Sequence, residues 1–245
     1  KQVLYQLDEN HLVFPPLHCA LTEPNGLLAL GGDLSPKRLI TAYQQGIFPW
    51  FSDNDPIMWW SPDPRAVIKI SDLHINRTLR KAIKKSPYLL TINTAFEQVI
   101  NYCADAPFRD DDTWIVSEMK SAYINLHKLG YAHSIEVWQI DDNTTTKQLV
   151  GGLYGIAING FFSGESMFYT SANASKFALV ALAELLASIN IEIIDCQLLN
   201  PFLEDMGATE ISRSDFVALK ETAITKVVTS DFWQPRELYI STDSN

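Results

Sequence analysis

Cysteine is scarce in this chain, and none of its three copies has a partner at the CxxC spacing of a metal-binding or redox pair. A small, odd number of cysteines argues against a disulfide framework, so we expect reduced thiols and a cytoplasmic protein. The five histidines also lack metal-ligand spacing, and we predict no metal site. No apolar run reaches the roughly 18 residues of a membrane-spanning helix. We therefore expect a globular protein with no membrane partner.

Positive charge is also scarce, and it is unevenly distributed. The chain has 19 Lys and Arg against 29 Asp and Glu, a net charge of −10. Seven of the basic residues nevertheless fall within residues 65–85, the basic segment, where Asp72 is the single acid. Residues 74–86 read as an amphipathic helix with its basic side chains outward. Such a helix is either a solvated face or a phosphate-binding surface, and an acidic average does not exclude the second.

The clearest structural pattern lies between residues 149 and 200. An apolar strand over 149–158, an Asn-Gly turn and a returning strand over 161–168 predict a β-hairpin. An almost continuously apolar helix follows over 174–188, and then a short strand over 191–198. Together with a strand before the hairpin, this order predicts an α+β fold of acyltransferase type. The loop before the helix contains no glycine, so it lacks the backbone cradle that the pyrophosphate of coenzyme A needs.

Polar side chains interrupt the last of these strands. Because side chains alternate along a strand, Asp195 and Gln197 are predicted on one face and Cys196 on the other, in the core. Glu165 is similarly embedded among apolar residues of the hairpin. Polar groups are costly to bury without partners or a task. We interpret them either as a satisfied structural cluster or as one wall of a small-molecule site.

Residues 1–62 read as a small leading module, with its boundary at 61–64 and a second domain over 63–245. Three tryptophans lie within eleven residues of this module, in sequence that predicts a proline-rich loop. They are expected to form a small core between the modules, although an aromatic platform for a nucleobase would also fit.

Seven segments carry more specific motifs, among them WWSPDPRAV, GESMF and IDCQLLN: residues 23–51, 59–67, 131–138, 149–155, 164–168, 173–176 and 194–200. In this order and at these spacings they resemble the leucyl/phenylalanyl-tRNA–protein transferase family. The resemblance implies a small N-terminal α/β domain and a GNAT-like acyltransferase domain with a mixed, mostly antiparallel sheet. It also implies transfer of Leu or Phe, and less readily Met, from charged tRNA to the N-terminal Arg or Lys of acceptor proteins. This reaction marks the acceptors for degradation under the N-end rule and needs no cofactor, and we expect a monomer.

The same resemblance implies a role for individual residues by their position. Asp195 and Gln197 fall on the catalytic pair. The terminal adenosine and the substrates are expected at Trp50, Trp114, Tyr123 and Glu165. The pocket for the transferred side chain is expected at Leu153, Met167, Leu179, Leu182, Leu186 and Ile194. The acceptor stem of the tRNA is expected at Arg77, Lys81, Lys84 and Lys85.

The implied reaction is attack of an α-amine on an ester. Such amines have a pKa near ~8, so losing a proton at pH 7 costs only about 1.4 kcal/mol. Holding amine and ester in attack geometry contributes roughly 7–11 kcal/mol, so positioning should dominate. We expect Asp195 to accept a hydrogen bond from the amine and Gln197 to orient it and steady the oxyanion. Glu165 is expected to attract the cationic side chain of the acceptor.

Two other functions fit parts of the sequence. A coenzyme A-dependent N-acetyltransferase fits the predicted fold but not the glycine-free loop. A non-catalytic RNA-binding module fits the basic segment and the tryptophans, but it gives no reason for polar residues on apolar strands.

Overall fold

The computed structural model describes residues 3–105 and 116–241, which form two β-sheets and seven α-helices. The strands are β1 (Tyr5–Leu7), β2 (Leu27–Gly31), β3 (Phe48–Pro49), β4 (Met58–Trp60), β5 (Arg65–Lys69), β6 (Tyr88–Ile92), β7 (Ala132–Ile140), β8 (Lys147–Ile158), β9 (Phe161–Tyr169), β10 (Ile193–Gln197), β11 (Thr209–Ile211) and β12 (Arg236–Leu238). The helices are α1 (Pro36–Gln44), α2 (Arg77–Lys84), α3 (Phe96–Asp105), α4 (Ser117–Lys128), α5 (Ala174–Ala187), α6 (Pro201–Asp205) and α7 (Arg213–Ile224).

The first sheet has the strand order β1-β2-β4-β3. Strands β1 and β2 are parallel, and the other pairs are antiparallel. Helix α1 follows β2. The Ser35-Pro36 pair predicts a helix start, because serine caps a helix and proline suits its first turn. The structure confirms it, with Pro36 first and the Ser35 hydroxyl accepting the backbone N–H of Arg38. Trp59 and Trp60 lie on β4, where the sequence predicts a loop. Pairing with β2 and β3 overrides the turn-rich composition there.

The second sheet has the order β11-β5-β10-β9-β8-β7-β6-β12. Its strands pair antiparallel except β9 and β10, which run parallel. A parallel pair needs a crossover connection, and α5 supplies it between β9 and β10. The predicted hairpin forms as β8 and β9, and the predicted apolar helix forms as α5. The α+β class is therefore confirmed.

Helix α5 is the centre of the core beneath this sheet. Ten of its fourteen residues are buried, as expected for a helix that is apolar on all sides. A second core cluster combines residues from the first sheet, such as Leu28 and Trp59, with Val99 and Leu126 from α3 and α4. The two sheets therefore share hydrophobic contacts across the connection formed by residues 61–64.

Helix ends differ from the predictions by a few residues. Helix α2 is shorter than the predicted 74–86, because the Asn76 side chain caps its first turn by accepting the Leu79 N–H. Ser117, a residue type that predicts the cap of a helix over 118–129, is instead the first residue of α4. Within residues 3–105 and 116–241, no helix combines the length and the hydrophobicity needed to cross a bilayer.

Candidate active site

A cavity of about 680 Å³ lies between the two sheets. Its volume is within the range of small-molecule sites. Phe48 and Trp60 of the first sheet contribute one side, together with Trp50, which follows β3 directly. The opposite wall is apolar and comes from β8, β9, α5 and β10: Leu153, Phe162, Met167, Leu179, Leu182 and Ile194.

The cavity lies where β9 and β10 diverge. Their parallel register contains two residue pairs, of which the second joins Ser163 to Asp195. Beyond that pair each strand carries an irregularity: Glu165 on β9 and Cys196 on β10 fall between residues that are paired to the neighbouring strand. A bulge bends its strand and re-aims the side chains around it. The two bulges bring Glu165, Cys196 and Gln197 to the cavity wall.

The position of Cys196 differs from the predicted one. Strict alternation would turn its side chain away from the site, but the bulge ends the alternation and Cys196 lines the cavity. Gln197 next to it has a φ of +66°, in the left-handed region that non-glycine residues rarely adopt. Burial raises the pKa of the Cys196 thiol well above its ordinary value. A neutral thiol is a poor nucleophile, so the site does not favour a covalent route through Cys196.

Asp195 is fully buried and does not line the cavity. Its Oδ1 accepts hydrogen bonds from Arg65 Nε at 2.9 Å and from the backbone N–H of Gln197 at 3.0 Å. Its Oδ2 accepts from Arg65 Nη2 and from the Ser163 hydroxyl, both at 2.8 Å. Each carboxylate oxygen thus accepts two hydrogen bonds from groups inside the protein. This contradicts the expected direct contact between Asp195 and the incoming amine, and its part in catalysis stays a prediction.

Arg65 is the buried partner that holds Asp195. Its Nη1 donates to the carbonyl oxygen of Gly46 at 2.9 Å and lies 3.4 Å from the Ser61 hydroxyl. Its guanidinium also lies over the Phe216 ring at 4.3 Å. Arg65 therefore belongs to the interior and adds nothing to a basic surface. The sequence signal that could have predicted this ion pair is one arginine and one aspartate, each on an otherwise apolar strand.

Glu165 is a half-buried carboxyl group in the cavity wall. Its Oε1 accepts hydrogen bonds from the Tyr43 hydroxyl and from Gln197 Nε2, the latter at 3.0 Å. The Tyr43 hydroxyl also contacts that of Tyr123 at 2.7 Å. Burial raises the pKa of Glu165 to about 8, and the negative charge of Asp195 adds to the rise. Burial also raises the pKa of both tyrosines, so they remain protonated hydrogen-bond donors.

Gln197 joins these two groups of contacts, because its Nε2 also lies 3.5 Å from the Ser163 hydroxyl. The result is one continuous set of hydrogen bonds, the polar network, made of Tyr123, Tyr43, Glu165, Gln197, Ser163, Asp195 and Arg65. Sequence reasoning identified four of these residues and missed Tyr43, Ser163 and Arg65. In the part of the chain that the structure describes, no group of three or more His, Cys, Asp or Glu side chains is arranged to hold a metal ion.

Two family models match the chain. The family described as leucyl/phenylalanyl-tRNA protein transferase matches residues 67–221, and the N-terminal domain of the same enzyme family matches residues 32–63. The chain belongs to the leucyl/phenylalanyl-tRNA–protein transferase family. This confirms the resemblance seen in the sequence motifs.

Individual family members are similar over almost their whole length. The leucyl/phenylalanyl-tRNA–protein transferase of Colwellia psychrerythraea is 67% identical over 239 residues, which cover 98% of this chain and 99% of that protein. The protein of the same name from Pseudoalteromonas translucida is 50% identical and covers 97% of this chain and 98% of its own length. That of Enterobacter sp. is 49% identical, with coverage of 97% and 98%.

The residues expected to bind the substrates of a leucyl/phenylalanyl-tRNA–protein transferase largely surround the cavity. Those that line it are Trp50, Leu153, Glu165, Met167, Leu179, Leu182 and Ile194. Tyr123 and Leu186 do not line it, and both are buried in the core. Leu186 lies one turn beyond Leu182 on α5, where the wall has already ended. Trp114 lies outside the described residues.

The four residues expected at the tRNA of a leucyl/phenylalanyl-tRNA–protein transferase are exposed on α2 or directly after it: Arg77, Lys81, Lys84 and Lys85. Among the described residues none of the four has a salt bridge to an acid. Arg80 on the same helix differs, since its Nε donates to the backbone oxygen of Ile75. Four cationic side chains are therefore available on one exposed segment.

Proposed function

We propose that this chain is an aminoacyltransferase that moves Leu or Phe, and Met less readily, from charged tRNA to acceptor proteins. The acceptors begin with Arg or Lys, and the product is marked for degradation in the cytoplasm. Family membership supports the reaction class. The observation that carries the proposal is a cavity whose apolar wall faces two side chains of the polar network, Gln197 and Glu165.

The donor fits the cavity in two parts. The apolar wall receives the transferred side chain, with Leu179 and Leu182 of α5 at its base. Trp50 and Trp60 offer half-buried aromatic faces for the terminal adenosine. The Trp60 indole N–H donates to the backbone carbonyl oxygen of Trp50 at 2.7 Å, which orients the Trp60 ring. Since one methylene changes binding by only about 1–3 kcal/mol, such a slot accepts both Leu and Phe.

The two residues of the catalytic pair have different roles, because Gln197 lines the cavity and Asp195 is buried behind it. Gln197 touches the reacting groups, orients the amine and steadies the tetrahedral oxyanion. Asp195 acts through Gln197. Its carboxylate accepts the backbone N–H of Gln197 and so holds that residue in its left-handed conformation. Asp195 is thus a positioning residue in this proposal.

The tRNA reaches this site from the exposed face of α2. The four cationic side chains there neutralise phosphates of the acceptor stem. Phosphate contacts carry no sequence information, so many tRNAs that bear the right amino acid serve as donors.

The fold supports a more detailed assignment of the domains and of the donor. We assign residues 1–62 to a small N-terminal domain and residues 63–245 to a GNAT-like catalytic domain, acting as a monomer. The support is the β9–α5–β10 crossover and the divergence of its two parallel strands at the cavity. The glycine-free loop before α5 does not offer a pyrophosphate cradle, which disfavours coenzyme A as donor.

A label-transfer assay tests this function. The protein is mixed with a peptide that begins with Arg and with either labelled Leu-tRNA or labelled acetyl-coenzyme A. We expect label from Leu-tRNA in the peptide, and none in a matched peptide that begins with Gly. Acetyl transfer, or tRNA binding without transfer, would contradict the proposal.

A further inference from the structure

We propose that Glu165, and not Asp195, is the carboxyl group that touches the α-amine of the acceptor and removes its proton as the peptide bond forms. The inference rests on the proposed function, because it requires amine and ester to meet in this cavity.

The hydrogen bonds of the two carboxyl groups indicate that Glu165, rather than Asp195, contacts the amine. Asp195 has four internal donors on its two oxygens and no contact with the cavity. Glu165 lines the cavity and receives both of its bonds on Oε1, from Tyr43 and Gln197. No hydrogen bond from a described residue reaches its Oε2. That oxygen is the carboxyl oxygen of the polar network that can accept a substrate proton.

Gln197 completes the binding site for the amine. Its Nε2 donates to Glu165, and no described residue donates to its own Oε1. An amine between these two side chains gives one N–H to the amide oxygen of Gln197 and a second to Oε2 of Glu165. This arrangement leaves the nitrogen lone pair free for the ester carbonyl.

The proposed step needs no co-reactant. The neutral amine attacks the ester carbon, a C–N bond forms, and the carbonyl π pair moves to the oxygen. The Glu165 carboxylate takes the proton from nitrogen. When the C–O bond to the ribose breaks, the protonated Glu165 returns that proton to the leaving 3′ oxygen. The products are an amide and a free 3′-hydroxyl, and Glu165 is again a carboxylate.

The surroundings of Glu165 suit a general base for an amine. It faces Tyr43 of α1, Tyr123 of α4, Asp195 of β10 and the Arg65 charge of β5. Burial and the nearby Asp195 raise the pKa of Glu165 to about 8, while the bonds from Tyr43 and Gln197 and the Arg65 charge act against the rise. An α-amine has a pKa near ~8 as well, so proton transfer between the two groups is nearly balanced.

The test compares Glu165→Gln with Glu136→Gln in single-turnover transfer of Leu from Leu-tRNA to an Arg peptide. Glu136 is a matched control, because it is another strand glutamate whose pKa burial raises, to about 7, and it does not line the cavity. We expect Glu165→Gln to lower the rate about 10²–10⁴-fold while Leu-tRNA binding is retained. We expect Glu136→Gln to transfer at the wild-type rate.

The pH profile separates a base from a merely structural group. At low peptide concentration the wild type must lose two protons, one from the amine and one from Glu165, so the logarithm of its rate should rise with a slope near ~2 below pH 7. Glu165→Gln should retain only the amine titration, with a slope near ~1. Tyr43→Phe removes a bond that lowers the pKa of Glu165, so its profile should shift to higher pH.

Folding is checked by thermal unfolding. Because the pKa of Glu165 is raised from 4.5 to about 8 in the folded state, wild-type stability should fall as pH rises from about 4.5 to about 8 and level off above it. Glu165→Gln should therefore unfold at a higher temperature than the wild type at pH 9, with a smaller difference at pH 6. A folded Glu165→Gln variant with the wild-type rate and slope would overturn the inference. Failure of the wild type itself to transfer Leu would instead overturn the proposed function.

Discussion

Removing the charge of Asp195 should destabilise the protein far more than removing the charge of Asp33, although each carboxylate pairs with a buried arginine. The side chains of Arg65 and Asp195 are 1% and 0% exposed. Asp195→Asn leaves the Arg65 guanidinium buried without a counter-charge, which costs about 3–5 kcal/mol of unfolding free energy. Asp33 is 44% exposed beside Arg38, so Asp33→Asn should cost no more than about 1 kcal/mol.

The magnitude follows from the contacts of the pair. The carboxylate accepts four hydrogen bonds, whereas an asparagine retains one acceptor oxygen and turns its amide NH2, a donor, towards the donors that Asp195 now binds. Adding Arg65→Met removes the uncompensated charge. The double variant should therefore be more stable than the sum of the two single effects predicts, by about 2 kcal/mol.

Urea unfolding followed by circular dichroism measures all four proteins of this cycle, and Asp33→Asn provides the reference. A loss below about 1 kcal/mol in Asp195→Asn, or strictly additive single effects, would refute the reasoning. Turnover should also fall in Asp195→Asn with Leu-tRNA binding nearly intact, because the amide oxygen of an asparagine accepts the backbone N–H of Gln197 less strongly than a carboxylate does. Equal loss of binding and turnover would contradict that positioning role.

Three further predictions concern the donor and its site. Replacing Lys84 and Lys85 with Gln should weaken tRNA binding and reduce the slope of log binding constant against log salt concentration by about 2. The control Lys128→Gln on α4 should leave this slope unchanged. An unaltered slope in the double variant would exclude these lysines from the interface. Cys196→Ala should retain transfer activity, because the pKa of this thiol is raised by burial, and complete loss would reopen a covalent route. Leu182→Phe narrows the apolar slot, so transfer of Phe should fall about 10-fold more than transfer of Leu in parallel assays; an unchanged Phe-to-Leu ratio would place the side chain elsewhere.

The sequence predicted the elements that depend on local patterns. The β8–β9 hairpin and helix α5 follow from alternation and continuous hydrophobicity. The caps of α1 and α7 follow from the serines near each start, Ser35 for α1 and Ser212 or Ser214 for α7, of which Ser212 is the cap in the structure. The aromatic residues at 231–235 also predict that the tail packs against the body, and Trp233 stacks on His133 with ring centres 3.9 Å apart.

Strand β12 and the polar network could not be predicted in this way. Strand β12 is three residues long and exists through its pairing with β6, so it carries no periodic signal. Arg65 and Asp195 are 130 positions apart, and Tyr43 and Glu165 are 122 positions apart. The bulges also have no signature in the alternation of side chains. Because they aim Glu165 and Cys196 at the cavity, the sequence could name the site residues but not which of them touches substrate.

The most direct measurement is a crystal structure with an adenosine that carries leucine through a 3′-amide, which replaces the labile ester. We predict the leucine side chain against Leu179 and Leu182, and the carbonyl carbon within about 4 Å of Gln197 or Glu165. Asp195 should stay bonded to Arg65, with no contact to the ligand. Binding of the analogue outside this cavity, or with its carbonyl turned away from both Gln197 and Glu165, would contradict the proposed site.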